Sequence, residues 1–81
     1  MEKYIYSVEV FEHHVGIQEY HLFSSSRKAE DFADGYMSHR EEWLGRKYQT
    51  ASVLQGHEED VVRIWEGSGE DVIIRRKLLM G

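Results

Sequence analysis

Histidines and carboxylates are the side chains in this sequence whose chemistry suits catalysis or metal binding. Five histidines are present, and two of them, His13 and His14, are adjacent. Neighbouring side chains on a strand point to opposite faces, so this pair cannot ligate one ion. No two histidines have the His-x-His or His-x-x-x-His spacing that would place both on one face of a strand or a helix. The histidines therefore predict no metal site.

One carboxylate and one histidine are candidates for acid–base chemistry. In the hairpin predicted below, Glu9 lies opposite His21, and a carboxylate beside an imidazole raises its basicity and orients it. His39, on the flank of the predicted helix, is a second candidate general base. No nucleophile accompanies these residues, so the sequence favours an exposed cross-strand pair of Glu9 and His21. A small dimeric enzyme is the alternative hypothesis.

Two short segments have the composition of ligand-binding sequences without their spacing. The run His-Glu-Glu-Asp at residues 57–60 carries oxygen ligands but lacks the glycine and the spaced ligands of a calcium loop. The Gly-Ser-Gly sequence at residues 67–69 lacks the Lys-Ser/Thr pair and the helix of a phosphate loop. Both segments are predicted turns. We predict no metal, no cofactor and no catalytic residue.

Length, charge and cysteine content limit the class of protein. The chain has 81 residues, a formal net charge of -5 and no cysteine. One domain is expected, without disulfides or thiolate metal sites, and the lack of cysteine favours a cytoplasmic location. The N-terminal residues do not read as a signal peptide, and no segment has the roughly 18 apolar residues of a membrane span. The excess of acids argues against nucleic-acid binding, which needs clustered cations.

The first 23 residues predict a β-hairpin. Apolar and aromatic side chains alternate through residues 3–13 and again through residues 17–23, which is the period of a strand. Residues 14–16 form the predicted loop, with Gly16 in the left-handed position that ends a three-residue loop. This register pairs Val10 with Tyr20 and Val8 with Leu22.

Residues 27–44 predict an amphipathic helix. Three serines at positions 24–26 supply candidate N-caps, and Gly45 is a candidate left-handed C-cap. Apolar side chains recur between them at helical spacing. They are Ala29, Phe32, Ala33, Tyr36, Met37 and Leu44, with Trp43 widening the stripe.

The rest of the chain predicts three more strands. Residues 47–55 favour extended structure, with a short helix as the alternative, and residues 60–66 and 71–79 form a second hairpin around the Gly-Ser-Gly turn. Its register pairs Ile64 with Val72 and Val62 with Ile74, and it places Asp60 near Arg76. Because the same register sets two glutamates, at positions 66 and 70, against each other, a slip by one residue is an open alternative.

These elements predict a single α+β domain over residues 1–81, in the order β-β-α-β-β-β. One amphipathic helix lies on an antiparallel sheet of four to five strands, in two layers. A single helix leaves the other face of the sheet uncovered. In the predicted register that face carries Ile5, Phe11, Ile17 and Phe23, an exposed apolar set that is typical of an interface and favours a homodimer.

The function that we predict is that of a small acidic, non-enzymatic module that binds and inhibits or regulates a protein partner. In size, charge and element order the chain is similar to phage- or plasmid-encoded inhibitors such as anti-CRISPR proteins, antitoxins and immunity proteins; no motif carries this similarity. The acids expected to contact a partner are Asp31, Asp34, Glu41, Glu42, Glu58, Glu59 and Asp60. An RNA-binding sheet is a further alternative, with base stacking on Tyr4, Tyr6, Phe11 or Phe23.

Overall fold

Six elements of regular structure make up the described part of the chain. The computed structural model describes residues 3–45, 47–51 and 60–80. Within these ranges one helix and five strands form an α+β fold in the predicted order, β-β-α-β-β-β, and all strand pairs are antiparallel. The elements are β1 (Lys3–Glu12), β2 (Gly16–Phe23), α1 (Ser26–Leu44), β3 (Tyr48–Ala51), β4 (Val61–Gly67) and β5 (Glu70–Met80).

The strands form one sheet in the spatial order β2-β1-β5-β4-β3. The strand that comes last along the chain, β5, therefore lies in the centre, between β1 and β4. β2 and β3 form the two edges of the sheet among the described residues. The predicted extended conformation of residues 47–55 is confirmed for Tyr48–Ala51. The remainder of that segment lies outside the described residues.

The helix α1 begins and ends at the predicted caps. The Ser25 hydroxyl accepts a hydrogen bond from the backbone N–H of Lys28, at 3.2 Å. Gly45 has a left-handed φ of 68°, and its N–H donates to the carbonyl oxygen of Glu41. Between the caps, Ala29 and Ala33 are fully buried against the sheet. Their small side chains allow the helix axis to approach the strands closely.

The helix covers one face of the sheet, which we call the covered face. Its hydrophobic core joins side chains of β1, β4, β5 and α1: Val8, Val10, Trp65, Val72, Ile74, Ala29, Ala33 and Met37. The opposite face, which we call the open face, carries the alternate side chains of the same strands. They are Ile5, Ser7, Glu9, Phe11, Ile17, Tyr20, Leu22, Ile64, Glu66, Asp71, Ile73, Arg75 and Lys77.

The register of the first hairpin differs from the predicted one by one residue. Val8 pairs with His21 rather than with Leu22, and the register shifts between Val10 and Phe11, where Gln18 has no partner on β1. β1 ends one residue earlier than predicted, and β2 begins one residue earlier, at Gly16, whose φ is 107°. A shift by one residue turns the β2 side chains from Glu19 to Phe23 to the opposite face, whereas the second shift at Gln18 leaves Ile17 on the predicted face.

This shift corrects the predicted position of Phe23. Phe23 lies on the covered face, where its ring centroid is 5.3 Å from that of Phe32 in α1. The prediction that Phe23 faces away from the helix is therefore wrong. The predicted burial of Tyr20 and Leu22 under the helix is wrong as well, because both side chains are exposed on the open face.

The second hairpin also has the shifted register that the sequence left open. Ile64 pairs with Ile73, and Trp65 pairs with Val72, so the predicted pairs of Ile64 with Val72 and of Val62 with Ile74 are wrong. The loop is shortened to two residues and ends at Gly69, whose φ is 89°. The shift brings the Trp65 ring into the core. The predicted proximity of residues 60 and 76 is confirmed by a backbone hydrogen bond of 2.8 Å.

The two candidate registers of β2 predict opposite effects for neighbouring substitutions. We expect Phe23→Ala to lower the free energy of unfolding by about 2 kcal/mol, because a half-buried ring leaves the helix–sheet contact. Leu22→Ala, at a side chain that is 55% exposed in the single chain, is expected to cost less than about 0.5 kcal/mol when dilute, monomeric protein is measured. Urea denaturation followed by circular dichroism measures both. A larger loss for Leu22→Ala than for Phe23→Ala would support the register with Leu22 under the helix.

Candidate protein-interaction surface

An ion cluster lies at the centre of the open face. Arg75 on β5 donates from Nε to Glu9 Oε2 on β1 and from Nη1 to Asp60 Oδ1 just before β4, both at 3.1 Å. The side chains of Glu9 and Arg75 are largely buried. The guanidinium therefore connects three neighbouring segments, and two carboxylates surround one cation. The cluster holds these strands in register and leaves a local excess of negative charge.

An apolar strip runs beside this cluster along the β2 edge. Phe11 and Ile17 lie directly opposite each other in the ladder, and Tyr20 and Leu22 continue the strip along β2. All four side chains are exposed, Phe11 by 38%. The predicted interface residues Phe11 and Ile17 thus belong to the open face, and Ile5 lies half-buried on the same face at the far end of β1. We call the four exposed residues the β2 strip.

The sequence did not lead us to expect Tyr20 and Leu22 on the open face, although the spacing of apolar residues in β2 indicates an irregular register. Its apolar residues fall at positions 17, 20, 22 and 23. The three-residue interval between Ile17 and Tyr20 breaks the strict alternation of a regular strand. Such an interruption is typical of a β-bulge, and the unpaired Gln18 lies within it.

A second group of carboxylates lies at the hairpin end of the open face. Glu66 and Asp71 are directly opposite each other on β4 and β5, an arrangement that is unfavourable for like charges. Asp71 Oδ1 is buried and lies 3.1 Å from His13 Nε2, but it makes no hydrogen bond within the described residues. A depression of about 380 Å³ includes both acids and is also lined by Phe11 and Ile73. We call Glu66 and Asp71 the acidic end.

The remaining acids that the sequence singled out do not join this surface. Four of them, Asp31, Asp34, Glu41 and Glu42, are exposed on the helix, which packs on the other side of the sheet. Asp60 is bound to Arg75 in the central cluster. Glu58 and Glu59 lie outside the described residues. The predicted acids therefore form separate groups rather than one patch.

The register also separates the predicted acid–base pair. Glu9 lies opposite Tyr20 on the open face, whereas His21 lies on the covered face. There the His21 ring lies 4.4 Å from that of Phe32, and its Nε2 is 3.1 Å from Glu19 Oε1. The prediction that Glu9 faces His21 is therefore wrong. Within the described ranges, no group of three or more His, Asp or Glu side chains is arranged to hold a metal ion.

A groove at the end of the helix contains the other candidate base, His39. The His39 ring lies 5.9 Å from the ring of Trp43, which is largely exposed. The groove has a volume of about 560 Å³, and Tyr36, Arg40 and Leu44 complete its helical wall. His39 has only the indole ring as an aromatic neighbour there and no carboxylate ion pair among the described salt bridges.

Below this groove lies a carboxylate that the sequence interpretation did not identify as special. Glu70, the first residue of β5, is only 1% exposed. The Tyr48 hydroxyl donates a hydrogen bond to Glu70 Oε1, and Arg40 Nε lies 3.8 Å from the same oxygen. Arg40 also donates to the Tyr36 hydroxyl at 2.9 Å. Glu70 therefore links α1, β3 and β5 through charged and phenolic groups, and no local sequence pattern marks it.

The surroundings of the Tyr48 and Tyr36 hydroxyls raise their pKa values. Burial raises the pKa of Tyr48 above its ordinary value of 10.0, and the hydrogen bond to the Glu70 carboxylate and its charge raise it further. Burial also raises the pKa of Tyr36, against the opposing hydrogen bond from Arg40. Both phenols are therefore held in the protonated form, in which Tyr48 can donate to Glu70.

Comparisons with known proteins give no family for this chain. No described protein family, no curated protein and no solved structure matches it. The helix α1 in the described part of the chain is not long and apolar enough to cross a membrane. The function is therefore inferred from the surfaces of the chain itself.

Removing the Tyr48 hydroxyl tests the role of the buried carboxylate. We expect Tyr48→Phe to lower the free energy of unfolding by about 1–3 kcal/mol at neutral pH, because Glu70 loses a donor in a buried site. Since the pKa is higher in the folded than in the unfolded chain, the wild-type protein has the full contribution of this hydroxyl below pH 10 and loses stability as pH rises above about 10. Urea denaturation from neutral to alkaline pH measures both effects.

The matched control is Tyr20→Phe, at an exposed hydroxyl on the open face. It should leave both the stability and its alkaline decline unchanged. An equally steep alkaline decline in Tyr48→Phe and in the wild-type protein would contradict the assignment.

Proposed function

We propose that this chain is a non-enzymatic protein-interaction module that binds a protein partner through its open face and thereby inhibits or regulates it. The observation that supports the proposal most directly is the β2 strip, four neighbouring exposed apolar side chains on a sheet face that carries no helix among the described residues. Contiguous apolar surface of this kind on a small protein marks an interaction site.

The composition of the open face suits a protein ligand. Phe11 and Tyr20 are aromatic, and aromatic side chains are enriched at protein interfaces. The strip borders the Glu9–Arg75–Asp60 cluster, so a docked partner would cover apolar side chains and reach partly buried charges at the same time. Interfaces combine these two elements, the first for affinity and the second for orientation.

The charge of α1 supports an additional contact with a basic protein. The net charge is -5, and the exposed acids of α1 add a negative field on the side away from the open face. Such a field speeds association with a positively charged protein. A small inhibitor that covers a functional surface needs no chemistry of its own, and the similarity in size and charge to anti-CRISPR proteins, antitoxins and immunity proteins is consistent with this mode of action.

The two alternative functions have less support. An enzyme based on Glu9 and His21 would need these side chains together, and they lie on opposite faces. An RNA-binding sheet would need its aromatic rings on one face. Phe11 lies on the open face next to the acidic end, whereas Tyr4, Tyr6 and Phe23 belong to the covered face. A stacking platform formed by all four rings is therefore not present.

Affinity capture with matched variants tests the proposal. The immobilised chain should capture a stoichiometric protein from a lysate of its native host, and Leu22→Glu should reduce that capture by about tenfold or more, because a charge enters the β2 strip. Val15→Glu is the control. It adds the same charge at a side chain in the hairpin loop that is 67% exposed and lies outside the open face.

Circular dichroism establishes that both variants are folded. Capture that Leu22→Glu leaves unchanged, or recovery of RNA in place of a protein, would contradict the proposal.

A further inference from the structure

The distribution of charge on the open face identifies an occupant for it. Resting on the proposed function, we infer that the protein bound there is a second copy of this chain, related by a twofold axis that places β5 antiparallel on β5. The order of side chains along β5 and their neighbours in β1 and β4 support this dimer.

The open side of β5 carries an acid at one end and an exposed base, Lys77, at the other, and Arg75 between them is neutralised by Glu9 and Asp60. Its side chains are, in order, Asp71, Ile73, Arg75 and Lys77. Glu66 lies opposite Asp71 and doubles the negative charge at that end. Lys77 is exposed at the other end, about 20 Å away at the rise of a strand. Since β5 is the central strand, these opposite charges lie at the two ends of the middle of the face.

A twofold axis perpendicular to β5 and parallel to the sheet exchanges the acidic and basic ends in the second copy. If the axis crosses β5 between Ile73 and Arg75, Asp71 of each copy lies over Lys77 of the other. Packed sheets are about 10 Å apart, a gap that a lysine and an aspartate side chain can bridge. The symmetry forms the contact twice, as it does in any isologous interface.

The same axis also pairs the apolar side chains. Phe11 is at the level of Asp71 on β1, and Ile5 is at the level of Lys77. The rotation therefore places Phe11 of one copy over Ile5 of the other. It places Tyr20 over Leu22 in the same way, because these two residues lie opposite Glu9 and Ser7. Tyr20 and Leu22 of each strip are then covered by the same two residues of the other copy, and Phe11 is covered by Ile5.

Other arrangements match the charges less well. An axis parallel to the strands would place Asp71 on Asp71 and Lys77 on Lys77, so like charges would meet at both ends. A different protein would have to supply its own basic and acidic groups at this spacing, whereas the chain already carries both halves. In the antiparallel dimer the two helices lie on the outer sides, and their exposed acids are left accessible for a further partner.

Exchanging the charges at positions 71 and 77 tests the register of the two β5 strands in the dimer. The wild-type chain should sediment with twice its monomer mass of 9.6 kDa. Asp71→Lys and Lys77→Asp should each weaken self-association by about tenfold or more, because both symmetric contacts become repulsive. An equimolar mixture of the two variants should recover the affinity, since the heterodimer has opposite charges at both contacts. The double variant D71K/K77D should recover it in a single chain.

Asp31→Lys is the control, because it makes the same change of charge on the exposed side of the helix. Circular dichroism establishes folding of each variant, and recovery in the mixture or in the double variant separates a lost contact from a misfolded chain. A dimer that is weakened by both single variants but recovered by neither combination overturns the register. A monomeric wild-type chain that captures a different protein, with capture sensitive to Leu22→Glu, overturns this inference and leaves the proposed function supported.

Discussion

The close packing of α1 on the sheet is the constraint on which the surfaces of this protein depend. Ala29 and Ala33 are fully buried and bring the helix against Val8 and Val10. The helix packs on β1, β2 and β5, and the covered face takes most of the buried apolar side chains. Several alternate residues are then exposed on the other side, among them Phe11, Ile17, Tyr20 and Leu22, whereas Ser7, Glu9 and Ile64 are buried there. A face with several exposed apolar residues therefore results directly from combining one helix with five strands.

Charged side chains occupy the centre of the open face, and this distinguishes it from a purely apolar sheet face. The partly buried contacts of Arg75 with Glu9 and Asp60 require desolvation, and such a cluster contributes less to stability than apolar residues of the same volume would. Its benefit is specificity. A partner must match both the charges and the β2 strip, and non-specific stacking of apolar sheets is disfavoured.

Local sequence signals predicted the helix, its ends and the order of the elements. The strand registers depend on pairing between distant segments and could not be predicted from local signals. The helix ends followed from Ser25 and Gly45, whose capping depends on neighbouring residues alone. The strand registers could not be predicted in this way. A change of register by one residue leaves the local preference for strand and turn unchanged but moves the side chains to the opposite face of the sheet. In the candidate site, the one-residue difference in register means that Tyr20 and Leu22, rather than Phe23, lie on the open face. Glu70 could not be identified at all, since its partners come from distant segments.

The central position of β5 has a consequence for the order in which the sheet can form. During synthesis β1 and β2 leave the ribosome first, and β5 follows every other described element, although it forms the ladder that joins β1 to β4. Pairing across nearly the whole described chain is slow, because a long loop must close before it yields any contact. The nascent chain therefore carries one side of β1 without its permanent neighbour until β5 has been synthesised, and loss of β5 would divide the sheet into two separate pairs of strands.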